Sequence, residues 1–375
     1  MVPIVSESSA LTDAPPVSRL EDLRAWMASR DLDAAYVTRP VSIAYLTGVH
    51  AVPYERLMAL AVKADRATLI VPALERENAE RANPDADIDS WRDGEDPYRL
   101  VHKALHGSAR LGVEKEHLTV AAAEALRERL GTHELVDVAH EIRRLRRIKS
   151  FAELEKLAQA AAITDAVTEE IVGSLHPGQT ELEVAVALGG SIGAAGGTLA
   201  FETLVLSGPN SALPHGRASG RSLEAGGLVL LDFGAAYEGY RADTTRMAVV
   251  GEPSARQREI HRLVLAAHDA AIDAVKAGTT TGAVDSAART VIEGAGLGDQ
   301  FFHRTGHGLG LETHEDPSLD PGSTTVLEVG MVFTVEPGVY IPGWGGVRIE
   351  DDVVVEEDGC RLLTGADRSL RVVPR

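Results

Sequence analysis

The chain has 375 residues, 44% hydrophobic, 4% aromatic and 25% charged, which is the profile of a globular protein with a core of Ala, Leu and Val. That length exceeds what one core usually supports, so two domains are expected. With 56 acidic and 37 basic residues the net charge is -19, which repels phosphate backbones and argues against nucleic acid as a partner.

The single cysteine, Cys360, excludes an internal disulfide and fits a reducing, cytoplasmic setting. Residues 1–16 are polar and Pro-containing, with neither a basic n-region nor an apolar h-region. They read as a short disordered tail rather than a secretory signal. No apolar run approaches the roughly 20 residues that span a bilayer, so no membrane association is expected.

Taken in chain order, residues 17–30 carry a helical period on Leu20, Leu23 and Trp26. Short apolar runs at 34–37 and 43–46 have strand character. Residues 58–62 and 68–71 read as strands joined by a hairpin at 63–66. A helix at 74–81 leads to a loop rich in Pro, Asp and Gly at 83–97. A helix at 100–105, a strand at 111–113 and a helix at 120–130 complete an alternating α/β pattern. The domain boundary is expected near residues 138–150, across a basic stretch at 143–149.

Ser150 followed by Glu153 is a capping box, which predicts a long helix from Phe151 to about Leu175. Pro177-Gly178-Gln179-Thr180 then leads into a second helix from Glu181. The pattern returns later: a helix at 255–275, then Ala277-Gly278-Thr279-Thr280, then a helix at 283–294. The spacing suggests two similar halves around one site, with coincidence as the alternative.

Three motifs carry chemistry. In the first, an apolar strand ends in Asp232, a turn follows at Glu238-Gly239, and a second strand opens at Asp243. Folding that hairpin brings two carboxylates together, which a divalent cation would stabilise. The alternative is a pair of ordinary turn residues. In the second, Glu336-Pro337-Gly338 precedes a turn at 342–346 and a returning strand that holds Val347-Arg348-Ile349-Glu350. Arg348 and Glu350 share one strand face. A surface ion pair is the alternative, weakened because the strand continues as an apolar run through Val355. In the third, His303, His307 and His314 fall in a Gly-rich frame, with glycines on both sides of His307. Such glycines allow close backbone approach. A core histidine is the bland reading, and P-loop spacing is absent. His215, in a Pro/Gly loop, reads by itself as a turn residue. One imidazole and four carboxylates together match two divalent ions in an oxygen-rich site and suggest hydrolysis.

With these motifs in view, the sequence resembles the pita-bread metallopeptidases, a group of methionine aminopeptidases, prolidases and Xaa-Pro aminopeptidases. The resemblance is strong over residues 150–359. Residues 17–138, with Ile43-Ala44-Tyr45-Leu46-Thr47-Gly48 and Glu55-Arg56-Leu57, resemble the creatinase-like N-terminal domain of the Xaa-Pro branch. The resemblance implies a tail at 1–16, a smaller α/β creatinase-like domain at 17–145, and an α+β pita-bread catalytic domain at 146–375.

It also implies five metal ligands: Asp232, Asp243, His307, Glu336 and Glu350. Asp232 would hold one ion, His307 and Glu336 the other, with Asp243 and Glu350 bridging. His215 and His314 match residues that contact substrate and stabilise the tetrahedral intermediate. His303 matches a histidine near the proline pocket, and Arg348 the arginine beside the last ligand. The implied activity is hydrolysis of Xaa-Pro bonds in short peptides by a hydroxide bridging two divalent ions, Mn²⁺ first, with Co²⁺, Zn²⁺ or Fe²⁺ as others. Glu336 would double as proton shuttle. A homodimer is expected. A metal-free creatinase-like amidinohydrolase and a non-catalytic binding module are alternatives on the same fold. Both predict lost ligands, whereas all five ligand positions are filled here.

Overall fold

A computed structural model describes residues 19–131 and 134–374. The tail expected at 1–16 lies outside the described residues. The chain divides into two compact units with the boundary between Arg146 and Arg147.

The first unit is built on a six-stranded sheet of order β4-β3-β2-β1-β5-β6. Its strands are β1 (Ala34–Val37), β2 (Ala59–Val62), β3 (Ala67–Pro72), β4 (Asp87–Trp91), β5 (Arg110–Val113) and β6 (Glu134–Asp137). Helices α1 (Arg19–Ser29), α2 (Pro40–Thr47), α3 (Arg76–Ala82), α4 (Tyr98–Leu105), α5 (Val120–Leu130) and α6 (Ala139–Arg147) surround it in sequence. β2 and β3 pair antiparallel as the hairpin pattern predicts, while β3–β4, β1–β5 and β5–β6 are parallel.

Two expectations need correction here. Residues 43–46 are helical, not extended. Pro40 pre-sets the first turn of α2, and a four-residue apolar run carries no period able to separate helix from strand. The loop at 83–97 contains β4, an edge strand whose acidic residues hide its β character until Trp91 is buried against Leu57. The basic stretch at 143–149 is largely α6, which buries Ala139, Glu141, Ile142 and Arg146, and the boundary between the two units falls inside it, within the range expected.

The second unit contains α7 (Phe151–Ser174), α8 (Glu181–Ala194), α9 (Ala255–Ala274) and α10 (Thr281–Gly294). Capping boxes start α7, α8 and α9, each worth about 1 kcal/mol of helix stability. The strands are β7 (Thr198–Leu199), β8 (Leu204–Ser207), β9 (Leu228–Phe233), β10 (Ala235–Tyr237), β11 (Tyr240–Arg241), β12 (Thr244–Val250), β13 (His307–Gly308), β14 (Glu315–Ser318), β15 (Val332–Val335), β16 (Gly338–Ile341), β17 (Gly345–Arg348), β18 (Asp351–Val355), β19 (Cys360–Leu362) and β20 (Arg371–Val373). The sheet orders that matter are β20-β12-β9-β8 and β14-β13-β15-β18-β19. No helix among the described residues is long and apolar enough to cross a membrane.

The two halves share a backbone ladder at their helix starts. In the first, Gly178 N–H donates to Leu223 O (3.0 Å), Leu223 N–H to Gln179 O (2.8 Å) and Glu181 N–H to Arg221 O (3.0 Å). In the second, Gly278 donates to Leu327 O (2.9 Å), Leu327 to Thr279 O (2.8 Å) and Thr281 to Thr325 O (2.9 Å). The same spacing that separates Leu223 from Leu327 separates Asp232 from Glu336. Each half then offers a central antiparallel pair, β9–β12 and β15–β18.

Candidate metal centre

Each acidic motif sits at the end of one such pair. Asp232 is the penultimate residue of β9, opposite Thr245 of β12, and Asp243 immediately precedes β12. Glu336 immediately follows β15, and Glu350 immediately precedes β18. The expected continuous strand through Glu350 is therefore interrupted: β17 ends at Arg348, and Glu350 bridges to Thr245 before β18 joins another sheet. That bridge ties the two halves together at the candidate ligands. Val347 and Ile349 point into the apolar core, so Arg348 and Glu350 face the opposite way, as the alternation predicts.

Asp243, His307 and Glu350 offer ligand atoms that all lie within 4.8 Å of one another. His307 Nε2 is 3.3 Å from Glu336 Oε1 and 3.8 Å from Asp243 Oδ2. Arg348 Nη2 pairs with Asp232, and its Nε lies 3.8 Å from Glu350 Oε2. The His314 ring packs edge-on against His307 at 4.2 Å between centroids. His303 Nε2 is 3.0 Å from the Tyr340 hydroxyl, which accepts from Arg348 Nη1 at 2.7 Å. His215 sits on an exposed turn within electrostatic reach of Asp232, His303 and His314. All nine residues singled out in the sequence thus gather in one place.

The electrostatics call for cations. Burial, then repulsion from Glu350, Asp232, Asp352 and Glu336, raises Asp243 well above the carboxylate range. Burial, then Glu336 and Asp232, does the same to Glu350. Burial pushes Glu336 up to about 7 against the opposing charge of Arg348. Burial, then the nearby His314 and Arg304, holds His307 well below its ordinary value, so its imidazole is neutral. The His307 Nδ1 position, 3.2 Å from Gly308 O, places the ring proton there and leaves the Nε2 lone pair facing Glu336 and Asp243. Asp243 Oδ1 is buried with no hydrogen-bond partner. Oxygen and nitrogen lone pairs converge here, and one imidazole with four carboxylates is a fitting donor set for divalent ions.

Metallopeptidase family M24 matches residues 155–357, and the Creatinase/Prolidase N-terminal domain matches residues 19–148. The chain belongs to metallopeptidase family M24. It is 38% identical over 363 residues to an Xaa-Pro dipeptidase of Lactobacillus helveticus, covering 95% of this chain and 99% of that protein. Among solved structures it is similar to an Xaa-Pro dipeptidase from Bacillus anthracis, with a TM-score of 0.89, 36% identity, and 94% and 99% of the two chains covered. It is also similar to an X-Pro aminopeptidase from Thermotoga maritima MSB8, with a TM-score of 0.85, 34% identity, and 92% and 98% covered. The fold is that of an M24 metallopeptidase: a creatinase-type N-terminal domain followed by a mixed α/β pita-bread domain. Membership in M24 implies divalent metal ions, and the buried Asp, His and Glu cluster accommodates them.

The M24 site includes residues the motifs did not flag. Thr245 donates to Glu350 Oε2 (2.5 Å) and accepts from Arg348 Nε (2.9 Å). Thr334 accepts from His307 N–H (3.1 Å) and donates to Glu336 Oε1 (3.4 Å). Asp352 Oδ2 accepts from Asp243 N–H at 3.0 Å. Thr245, Thr334 and Asp352 each lie two residues from a carboxylate of the set, on the same strand face, and that alternation was the available signal. Tyr340 had no such signal, because its hydroxyl reaches the site across the β16–β17 hairpin. The glycines around His307 meet their expected need: a Cβ at Gly306 would overlap the Thr334 carbonyl, and one at Gly308 the Asp316 carbonyl.

Proposed function

We propose that this chain is a metal-dependent Xaa-Pro dipeptidase that hydrolyses the bond preceding proline in short peptides. The observation that carries the reading is the buried Asp243–His307–Glu350 cluster with Glu336 at 3.3 Å from His307, in a chain that matches named Xaa-Pro dipeptidases over nearly its whole length. Asp232, Asp243, His307, Glu336 and Glu350 hold two divalent ions. When bound, the ions supply Lewis-acid polarisation of the scissile carbonyl and activation of water. Manganese is the first choice because the ligands are four carboxylates and one imidazole, without thiolate.

The protein groups do the rest. Glu336 takes the proton of the attacking water and delivers it to the proline nitrogen. His314 and His215 donate to the carbonyl oxygen as charge develops on it. Arg348 fixes Asp232 and, through the Tyr340 hydroxyl, the His303 ring that lines the proline side. A tertiary amide has no N–H, so that side of the pocket needs no acceptor for one. The working form is a homodimer in the cytoplasm, in keeping with the resemblance and the single cysteine.

The test is hydrolysis of Ala-Pro by the purified protein, with metal content measured before and after chelation. Activity that survives complete metal removal would overturn the reading. Ala-Pro-Ala separates the two named activities: a strict dipeptidase leaves it intact, and rapid cleavage assigns the chain to the aminopeptidase side. Gel filtration with light scattering tests the dimer.

A further inference from the structure

The shared ladder of the two halves makes one side chain stand out. At the first position of α8, Glu181 is 0% exposed. Its carboxylate accepts from Ser207 N–H (2.6 Å), Ser207 Oγ (2.8 Å), Asn210 Nδ2 (3.2 Å), Ser219 N–H (3.1 Å) and Ser219 Oγ (2.6 Å). Every one of these donors is neutral. At the corresponding position of α10 stands Thr281, also buried, whose hydroxyl makes one side-chain bond, to Ser323 Oγ at 2.8 Å.

The backbone ladder is the same in both halves, so holding it together does not require a carboxylate. Thr281 does that work in the second half with a neutral group. Burying an anion among neutral donors carries a large desolvation cost, offset here only by charge-assisted hydrogen bonds. The second half spans the matching stretch, with Ser323 in the place of Ser219; what the first half has in addition is a carboxylate that reaches both ends of segment 207–219. The donors lie at its two ends, Ser207 and Ser219, with Asn210 between, and its exposed turn carries His215. One carboxylate therefore closes both ends of the histidine loop. Four of the five bonds come from paired backbone and hydroxyl donors of the same two serines, which fixes the ends in orientation as well as distance.

We propose that Glu181 is the positioning residue for His215, clamping the ends of segment 207–219 on one carboxylate so that the imidazole is held beside Asp232. The inference deepens the peptidase reading and rests on it. Glu181 touches no reacting atom. Its proposed effect on turnover runs through His215, and that makes it separable from a general role in stability.

The experiment compares Glu181→Gln, His215→Ala and the double variant, all loaded with Mn²⁺, by steady-state hydrolysis of Ala-Pro. Glutamine keeps the shape but presents N–H groups to donors, so one end of the clamp opens. The expected result is a drop of about tenfold in kcat/KM, a loss near 1.4 kcal/mol of transition-state stabilisation, with metal content unchanged. In the His215→Ala background the same substitution should change kcat/KM by less than about twofold, because its target is gone. An equal drop in both backgrounds, or no drop in the otherwise unaltered protein, overturns the proposal. Hydrogen exchange gives a readout independent of turnover. Glu181→Gln should speed exchange in peptides covering 207–219 and leave those covering 228–250 unchanged. Unaltered exchange in 207–219 overturns the clamp whether or not the protein cleaves Xaa-Pro bonds. Should Glu181→Gln fail to fold, Ser219→Ala removes a single donor and must show the same pattern at smaller size. Full activity with unchanged exchange in that variant also overturns the clamp.

Discussion

Stripping the metal ions should make the protein less stable as pH rises through neutrality. Burial carries Glu336 from the ordinary 4.5 to about 7, and burial with mutual repulsion raises Asp243 and Glu350 further above the carboxylate range. A carboxyl raised in the folded state binds more protons there than in the unfolded chain. The free energy of unfolding then falls as pH rises from the unfolded to the folded value. The buried histidines act in the opposite sense. Burial holds His303 at about 4, His307 well below 6.5, and His261 and His314 below it, so they cost stability as the unfolded imidazoles protonate, below about pH 7.5. A window from about pH 7.5 to about 8.5 therefore isolates the carboxylates. Across it Glu336 completes its ionisation and Asp243 and Glu350, raised higher, are driven to ionise, together costing about 1 kcal/mol or more. For a unit of this size about 1 kcal/mol moves Tm by about 2–4 °C. Scanning calorimetry of chelator-stripped protein should thus show Tm falling by about 3 °C or more between the two pH values. The metal-loaded protein should show a level or rising Tm, because binding requires ionised ligands and strengthens as protons leave. A metal-free Tm that stays level or rises across the window would refute the reasoning.

Asp243→Ala removes a proposed ligand whose Oδ1 has no hydrogen-bond partner among the described residues, so metal per chain, measured by mass spectrometry, should fall and Ala-Pro turnover should drop by about 100-fold or more. Gly306→Ala drives a Cβ into the Thr334 carbonyl, and urea unfolding should show a loss of about 2–3 kcal/mol. Tyr340→Phe deletes the hydroxyl between Arg348 and His303. It leaves a buried N–H of Arg348 unpaired, costing about 1–3 kcal/mol in the same unfolding assay, and kcat/KM for Ala-Pro should fall while metal content holds.

The legible parts of the fold were those governed by local rules. The capping box at Ser150 put α7 where the spacing predicts, with unread boxes at Thr180 and Ser254 starting α8 and α9, and the hairpin acids came together because the antiparallel register leaves them little choice. The misread parts were decided by tertiary context. Residues 43–46 have no period long enough to identify a helix, and the acids of β4 lower its β propensity, which the parallel pairing with β3 overrides. At the site, the alternation of Arg348 and Glu350 was readable, but the break after Arg348 was not. That break exists because Glu350 bridges Thr245, more than a hundred positions earlier in the chain.

The same break explains how four carboxylates share one buried space. Each half delivers two acids from the ends of a central strand pair, and the Thr245–Glu350 bridge fixes the spacing between the pairs. Directly behind, Arg246 is 1% exposed and donates to the Glu350 carbonyl at 2.6 Å and to Asp351 Oδ1 at 2.6 Å. Asp351 also lies 3.0 Å from His268 Nε2 and accepts from Arg368 at 2.5 Å and Thr364 at 2.8 Å. Burial works to raise Asp351, yet His268, Arg246 and Arg368 together hold it well below the usual range. The neighbouring acids Glu350 and Asp351 thus have opposite fates. One faces the site and is raised, while the other faces a compensated cluster and stays ionised. A backbone carbonyl gripped by a fully buried guanidinium cannot swing away when the site holds no ion, so Glu350 is pre-organised before metal arrives. The repulsion among the site acids is then carried as protonation rather than as movement. For that reason stability against pH, rather than a change of shape, is the property in which the loss of metal should first be seen.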